Sequence, residues 1–367
     1  MPNFKQSSDF RSIVLHNIPL IDVRAPIEFE KGAFPFAANL PLMSNEERHL
    51  VGTAYKQKGH DAAVALGNSL VNGSVKESRV KAWSDFMEEN PEAMLYCFRG
   101  GERSKITQEW IGETGAEIVR LEGGYKAFRA YLMQETERLA GTFQPYVIGG
   151  RTGSGKTILL KRLENAIDLE GLANHRGSSF GRKVKAQPSQ IDFENALAYE
   201  LIQKLDQGFD TLVFEDESEF IGRVYIPKPL VNVLKVSPLI ILETSQKKRI
   251  EITFDEYIVK AQKSYEETYP GNALEKWYES ISAAMSRIQR RLGGERYQKV
   301  CALFEEAFRT QKECGDLEVY KVWIDYLLVE YYDPMYDYQI AKNKDRIVFR
   351  GSEKEIEGFL KKENVKK

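Results

Sequence analysis

Between Gly150 and Thr157 the chain reads Gly-Arg-Thr-Gly-Ser-Gly-Lys-Thr, directly after the apolar run PYVIG and directly before KTILLKRLENA. Few octapeptides restrict a fold so tightly. The glycines let the backbone curl so that successive N–H groups face phosphate oxygens, Lys156 supplies a cation for a terminal phosphate, and the Thr157 hydroxyl suits Mg²⁺ where a metal takes part. A strand must feed this loop and a helix must leave it, which commits the surroundings to a parallel α/β sheet. Gly150, Gly153, Ser154, Gly155, Lys156 and Thr157 are therefore the diphosphate-binding candidates. TLVFEDES at 211–218 and PLIILETS at 238–245 read as further buried strands of the same sheet. The first ends in Glu215, Asp216 and Glu217, where a carboxylate that orients metal or water is expected; Glu215 and Asp216 are the candidates.

Upstream, SIVLHN, PLIDVR, AMLYCF and AEIVRL alternate with helical patterns such as SNEERHLVGTAYKQK and VKESRVKAWSDFMEEN. That alternation predicts a second α/β sheet. The helix KAFRAYLMQETERLA runs into Gly141 and Pro145, which punctuate the chain before PYVIG. The expected organisation is a first domain over 1–139, a phosphate-loop core over 145–250 and a mainly helical extension over 251–367. The tail pattern RIVFRG followed by EIEGFLKKE has no assigned sheet partner at this level.

AMLY delivers Cys97 at a strand end, followed by Phe98-Arg99-Gly100-Gly101-Glu102-Arg103-Ser104 and a helix. Two glycines shape an anion-binding concavity, the helix turns its positive end towards it, and Arg99 and Arg103 add charge; together they favour a thiolate nucleophile. Cys97, Arg99 and Arg103 are the catalytic candidates. Cys301 on a helical apolar face and Cys314 beside Gly315 read as structural.

With 367 residues and 42% hydrophobic content the chain is long enough for two or three cored domains, and 52 Lys+Arg against 54 Asp+Glu give a net charge of −2. So balanced a charge excludes a cationic packaging protein and confines any nucleic-acid affinity to local patches. The segment 175–185 offers one: His175, Arg176, Arg182 and Lys183 lie among serines, glycines and Phe180, a mixture suited to gripping phosphates and an unpaired base. Two smaller clusters lie at 246–249 and 286–291. Three cysteines without a Cys-x-x-Cys pair, four scattered histidines and an N-terminus without an apolar core point to a reducing, cytoplasmic setting without structural zinc. No apolar run is long enough to predict a membrane span.

IDVRAPIEFEKGAFPFAANLPL, CFRGGERS and LEGGYKAF make the first domain similar to the rhodanese family across most of 11–130. That resemblance implies a persulfide-like or perselenide-like intermediate on Cys97, and architectural roles for Asp22 and Arg24. Taken with LEGLANHRGSSFGR, DFENALAYE, LVFEDESEFIG and EYYDPMYDYQI, the whole chain resembles the tRNA 2-selenouridine synthase family. The resemblance implies replacement of sulfur by selenium in 2-thiouridine at the tRNA wobble position, with selenophosphate as donor, and S-geranylation from geranyl diphosphate. It implies a tRNA partner, an enzyme that supplies selenophosphate, and no tightly bound cofactor. Two other readings remain at this level: a Cys-x5-Arg phosphatase fused to a phosphate-loop NTPase, with Tyr96 standing where such phosphatases usually carry histidine, and a noncatalytic RNA-binding scaffold.

Overall fold

In the computed structural model, which describes residues 5–364, the alternating apolar runs become two parallel sheets in two units. The first unit comprises Met1–Leu139 with Ser189–Gln207, the second Ala140–Pro188 with Gly208–Lys367.

The first sheet contains β1 (Gln6–Ser7), β2 (Leu20–Asp22), β3 (Ala37–Asn39), β4 (Met94–Tyr96) and β5 (Val119–Leu121), in the order β1-β5-β4-β2-β3 with every neighbouring pair parallel. Side chains alternate between faces. Leu20, Tyr96 and Leu121 pack with Phe128 and Leu132 of the helix Gly124–Leu139, whereas Ile21, Val23, Leu95 and Cys97 pack with Trp83 and Ile111 on the other side. Both faces are covered, as a parallel sheet requires. Cys97 thus leaves the carboxyl end of β4, between β5 and β2 in the sheet order, the end at which open α/β sheets place their ligands.

The helix Gln190–Asp206 belongs to this first unit, although its sequence lies inside the stretch expected to form the phosphate-loop core. Its apolar stripe explains the difference: Ala198, Tyr199 and Ile202 are buried with Ile13, Val14, Phe128 and Leu132. Polar contacts fix its register. Asp192 accepts from the Ala33 amide at 2.7 Å, Asn195 donates to the Ala33 carbonyl at 2.6 Å, and Arg129 pairs with Glu194.

The second sheet contains β6 (Gln144–Gly149), β7 (Ala166–Ile167), β8 (Thr211–Glu215), β11 (Leu239–Leu242) and β12 (Ile347–Gly351), parallel in the order β12-β11-β6-β8-β7; β9 (Phe220–Ile221) and β10 (Val224–Tyr225) form a separate antiparallel pair. The phosphate-loop helix is Lys156–Leu160, shorter than the run KTILLKRLENA predicts. Asn165 ends it early. Its buried side chain donates to the Thr211 carbonyl at 2.8 Å and its carbonyl accepts from Val213 at 3.0 Å, pulling the chain into edge strand β7.

Beyond residue 250 the long helices Ala273–Leu292 and Gly294–Cys314 and the shorter Tyr320–Leu327 enclose a core around Trp277, Phe304, Tyr320 and Trp323. Cys301 packs against that core; Cys314 is exposed. The tail then returns to the sheet: β12 pairs with β11, and Ile356 and Leu360 of the helix Glu353–Asn364 are buried with Tyr146 and Ile148. A purely helical extension would leave Phe349, Ile356 and Leu360 without cover. The architecture is α/β with parallel sheets and helical towards its C-terminus. Among the described residues no helix is long and apolar enough to cross a membrane.

Candidate functional site

Cys97 lies at the floor of its loop with 3% of its surface exposed, while Phe98, Arg99, Gly101 and Glu102 on the rim are open to solvent. Its Sγ is 3.2 Å from Ser104 Oγ, which donates to the Gly101 carbonyl at 2.9 Å. With its one proton engaged there, the serine hydroxyl is left to accept from the thiol. The turn after β5 holds the loop from beneath: Tyr125 and Lys126 donate their amides to the Cys97 and Phe98 carbonyls at 2.9 and 3.0 Å, and Arg120 donates to the Gly100 carbonyl at 2.8 Å. The segment LEGGY, which follows the cysteine loop by some twenty residues of sequence, is therefore part of its foundation.

The two arginines separate. Arg99 is exposed and lies over the Phe98 ring. Arg103, expected to add charge at the cysteine loop, gives both terminal guanidinium nitrogens to Glu28, at 2.6 and 3.2 Å, and Arg48 donates to the same carboxylate at 2.8 Å. Burial pushes the Glu28 carboxyl up, but the Arg103 hydrogen bond and the charges of Arg103 and Arg48 hold it below the ordinary glutamate value. Asp22 and Arg24 form a buried forked pair at 2.6 Å, with Arg24 also donating to the Gly32 carbonyl and stacking on Tyr125 at 3.9 Å. They brace the strand end.

In the second unit the phosphate loop curls around its own glycines. A Cβ on Gly153, whose φ is +76°, would lie 2.5 Å from Thr253 Oγ1 and 2.9 Å from the Arg249 carbonyl, so only glycine fits. Arg249 donates to the Thr152 carbonyl at 2.9 Å and is itself held by Asp333. Lys156 folds back onto the Gly150 carbonyl at 3.0 Å. Among the described residues the buried hydroxyls of Thr152 and Ser154 have no hydrogen-bond partner, and in a loop whose backbone curls around a cavity they are free to bond a ligand. Because the following helix is short, the cradle rests on loop amides and hydroxyls more than on a helix dipole.

A cavity of about 450 Å³ opens over this loop. His175, Arg176 and Lys183, expected as an RNA-gripping patch, line that cavity together with the loop, whereas Arg182 is exposed and pairs through its backbone with His175. Arg176 is tied to Glu256 at 2.8 Å. Burial lowers Lys183 below the usual lysine range, with Arg176 adding to the effect, and burial likewise lowers His175 against the pull of Glu170. Of the acidic run, Glu217 lines the cavity. Glu215 is buried at the sheet end and accepts from the Glu170 amide at 2.5 Å; burial, then the neighbouring Asp168, push it well above the ordinary value. Burial and the adjacent Glu170 do the same to Glu217. Among the described residues no three His, Cys, Asp or Glu side chains converge on one point as metal ligands.

A family model described as the tRNA 2-selenouridine synthase AAA domain matches residues 143–367. A protein named tRNA 2-selenouridine synthase from Sulfurovum sp. (strain NBC37-1) is 66% identical over 361 residues, covering 98% of this chain and 99% of that protein. Proteins of the same name from Hydrogenovibrio crunogenus and Pseudomonas fluorescens are 52% and 45% identical, with coverage of 98% and 96% of this chain and 99% and 97% of theirs. The chain belongs to the tRNA 2-selenouridine synthase family.

In this tRNA 2-selenouridine synthase family member the matched AAA region includes the phosphate loop, its cavity and β12, and the relatives' span also takes in the cysteine loop. Sequence reasoning missed Glu170, whose carboxylate accepts from Thr157 Oγ1 at 3.3 Å and from the Gly177 amide. It stands in the segment LEGLANHRGSSFGR, six positions before Arg176 of the basic run. It also missed Glu28, separated by 75 positions from the arginine it holds. Its carboxylate also accepts from the Ala25 amide at 3.3 Å, at the start of the short helix Pro26–Phe29.

Proposed function

We propose that the chain modifies tRNA, exchanging sulfur for selenium in 2-thiouridine at the wobble position in two steps, one at each loop. The observation that carries this reading is the pair of partnerless buried hydroxyls, Thr152 and Ser154, in the phosphate loop of a chain 66% identical from end to end to a protein named tRNA 2-selenouridine synthase.

In the first step geranyl diphosphate sets its diphosphate on the loop Gly150, Gly153, Ser154, Gly155, Lys156 and Thr157. The thiocarbonyl sulfur attacks C1 of the geranyl group: a C–S bond forms, the C–O bond breaks, diphosphate leaves with the electron pair and the base loses its N3 proton. Lys156 leaves the Gly150 carbonyl to neutralise the departing charge. Where Mg²⁺ takes part, Thr157 Oγ1 and phosphate oxygens would hold it, with Glu170 beside that hydroxyl, and the ion would spread the diphosphate's charge. Arg176, Arg182 and Lys183 bring positive charge to bear on phosphates of the diphosphate and of tRNA, and His175, kept neutral by burial, offers them a hydrogen bond.

In the second step the Cys97 thiolate attacks the phosphorus of selenophosphate. An S–P bond forms, the P–Se bond breaks and hydrogen selenide is released; water later cleaves S–P to give phosphate. Hydrogen selenide then adds at C2 of the geranylated base and geranyl thiol departs. No oxidant is required, whereas a Cys97 perselenide built from selenide would demand the loss of two electrons. Arg99 and the loop amides hold the phosphoryl group, and Arg103 keeps the loop in place through Glu28. A chain acting on tRNA in this way would work in the cytoplasm and would draw selenophosphate from another enzyme.

Incubating the full chain with 2-thiouridine tRNA and geranyl diphosphate, with and without selenophosphate, tests the reading by nucleoside mass analysis. S-geranyl-2-thiouridine without the donor and 2-selenouridine with it are expected. Selenation that proceeds equally without geranyl diphosphate would overturn the two-step order.

A further inference from the structure

The first unit holds an apolar cleft of about 190 Å³ for which the chemistry above has no use. Its walls are hydrocarbon, chiefly Met43, Val51, Val64, Val71, Ile106 and Trp110. Arg103, Ile106 and Trp110 come from one side of the helix Glu102–Glu113, and the neighbouring residue Ser104 holds the Cys97 sulfur at 3.2 Å. The helix that lines the cleft with Arg103 is thus the one that holds the thiol through the next residue, Ser104. They also share a packing cluster, in which Met43, Val71 and Cys97 are buried and Val51, Ile106 and Trp110 partly so. The outer wall is the helix Asn45–Lys58, which buries none of its residues and leaves Leu50 and Tyr55 exposed.

The mouth is chemically different. A second hollow shares Met43, Val51, Tyr55, Ala63 and Arg103 with the cleft, and its remaining walls carry Arg48, His49 and Lys56. A hydrocarbon slot opening onto a cationic groove fits a short apolar chain carried on a polyanion. Apolar cavities of comparable size stay dry and take up hydrocarbon guests. Arg48 and Arg103 share the single carboxylate of Glu28, so the charge left for an anion is that of Lys56 and the surplus of the arginine pair, and a neutral hydrocarbon or an apolar peptide would leave it unused.

We propose that this cleft receives the ten-carbon geranyl chain of the S-geranylated nucleoside during the second step, so that the hydrocarbon anchors the base with C2 at the Cys97 loop. This assignment rests on the geranyl route proposed above. It makes chain length a determinant of selenation, since each methylene buried is worth roughly fourfold in binding. It also makes Val64, a half-buried cleft residue with no polar role, a specificity-determining position.

The test uses the full chain with tRNA carrying S-geranyl- or S-dimethylallyl-2-thiouridine, supplied with selenophosphate, and reads the ratio of the two selenation rates. The wild type is expected to favour geranyl by at least about tenfold, and Val64→Trp, which fills the slot, to reduce that preference to near unity. Because the ratio is taken on one sample, partial loss of folded chain cancels. A second measurement needs no turnover: geraniol should perturb indole fluorescence, and Trp110→Phe should remove the response. Selenation of both substrates with no chain-length preference, a preference that survives Val64→Trp, or a geraniol response that persists in Trp110→Phe would overturn the cleft assignment while leaving the geranyl route intact. Failure of the wild type to selenate either S-alkylated tRNA would overturn the route and the cleft together.

Discussion

A Cβ on Gly124 would lie 2.3 Å from the carbonyl oxygen of Cys97 and 2.4 Å from the amide nitrogen of Gly100, so the thiol loop and the turn after β5 meet backbone to backbone. Gly124 also has φ +58°, a conformation that side chains disfavour. Gly124→Ala should destabilise the chain by about 1–3 kcal/mol and displace the loop, lowering selenium transfer. Gly112→Ala is the control: its Cβ would meet nothing within 4 Å and it lies inside the helix Glu102–Glu113 without a positive φ, so thermal melting should not fall below wild type. Equal melting of the two variants would contradict the contact.

Glu28, clasped by Arg103 and Arg48, predicts a specific acid limb. Its folded pKa is depressed, so between that value and the unfolded value of about 4.3 the unfolded chain binds more protons. The stabilisation is complete above the unfolded value and is lost as pH falls through the folded one. Glu28→Gln should melt lower than wild type at pH 7, by about 1–3 kcal/mol, and the two curves should converge on acidification. Melting temperatures from pH 3 to 7 provide the check.

Glu215 predicts the opposite slope. Burial, reinforced by Asp168, raises its folded pKa, and among the described residues Oε2 has no hydrogen-bond partner. The folded state therefore holds its proton longer, and stability declines as pH rises from the unfolded value towards the folded one. Glu215→Gln keeps an acceptor for the Glu170 amide and removes the buried charge, so it should gain more stability at pH 8 than at pH 5. Denaturant midpoints that stay parallel across this range would contradict the assignment.

What the sequence revealed and what it hid divide along physical lines. The phosphate loop and cysteine loop were legible because each is a local backbone conformation written in contiguous glycines, with strand and helix on the required sides. Contacts between distant segments were not. Nothing in PIEF says that Glu28 will take the guanidinium of Arg103, and nothing in RIVFRG says that Phe349 will register with Ile240 at the sheet edge. The helix Gln190–Asp206 has an unmistakable apolar stripe, but a stripe does not name the surface it covers; here that surface is Ile13, Phe128 and Leu132 of the first unit. The phosphate-loop helix stops early because Asn165 bonds to Thr211, a pairing set by the sheet and invisible to helical periodicity.

Nucleoside mass spectra from Cys97→Ala and Lys156→Ala test the division of labour between the loops most directly. Given 2-thiouridine tRNA, geranyl diphosphate and selenophosphate, Cys97→Ala should accumulate S-geranyl-2-thiouridine without 2-selenouridine. Lys156→Ala should form little of either, yet convert tRNA already geranylated into the selenated product. Loss of both half-reactions to the same degree in both variants would contradict it.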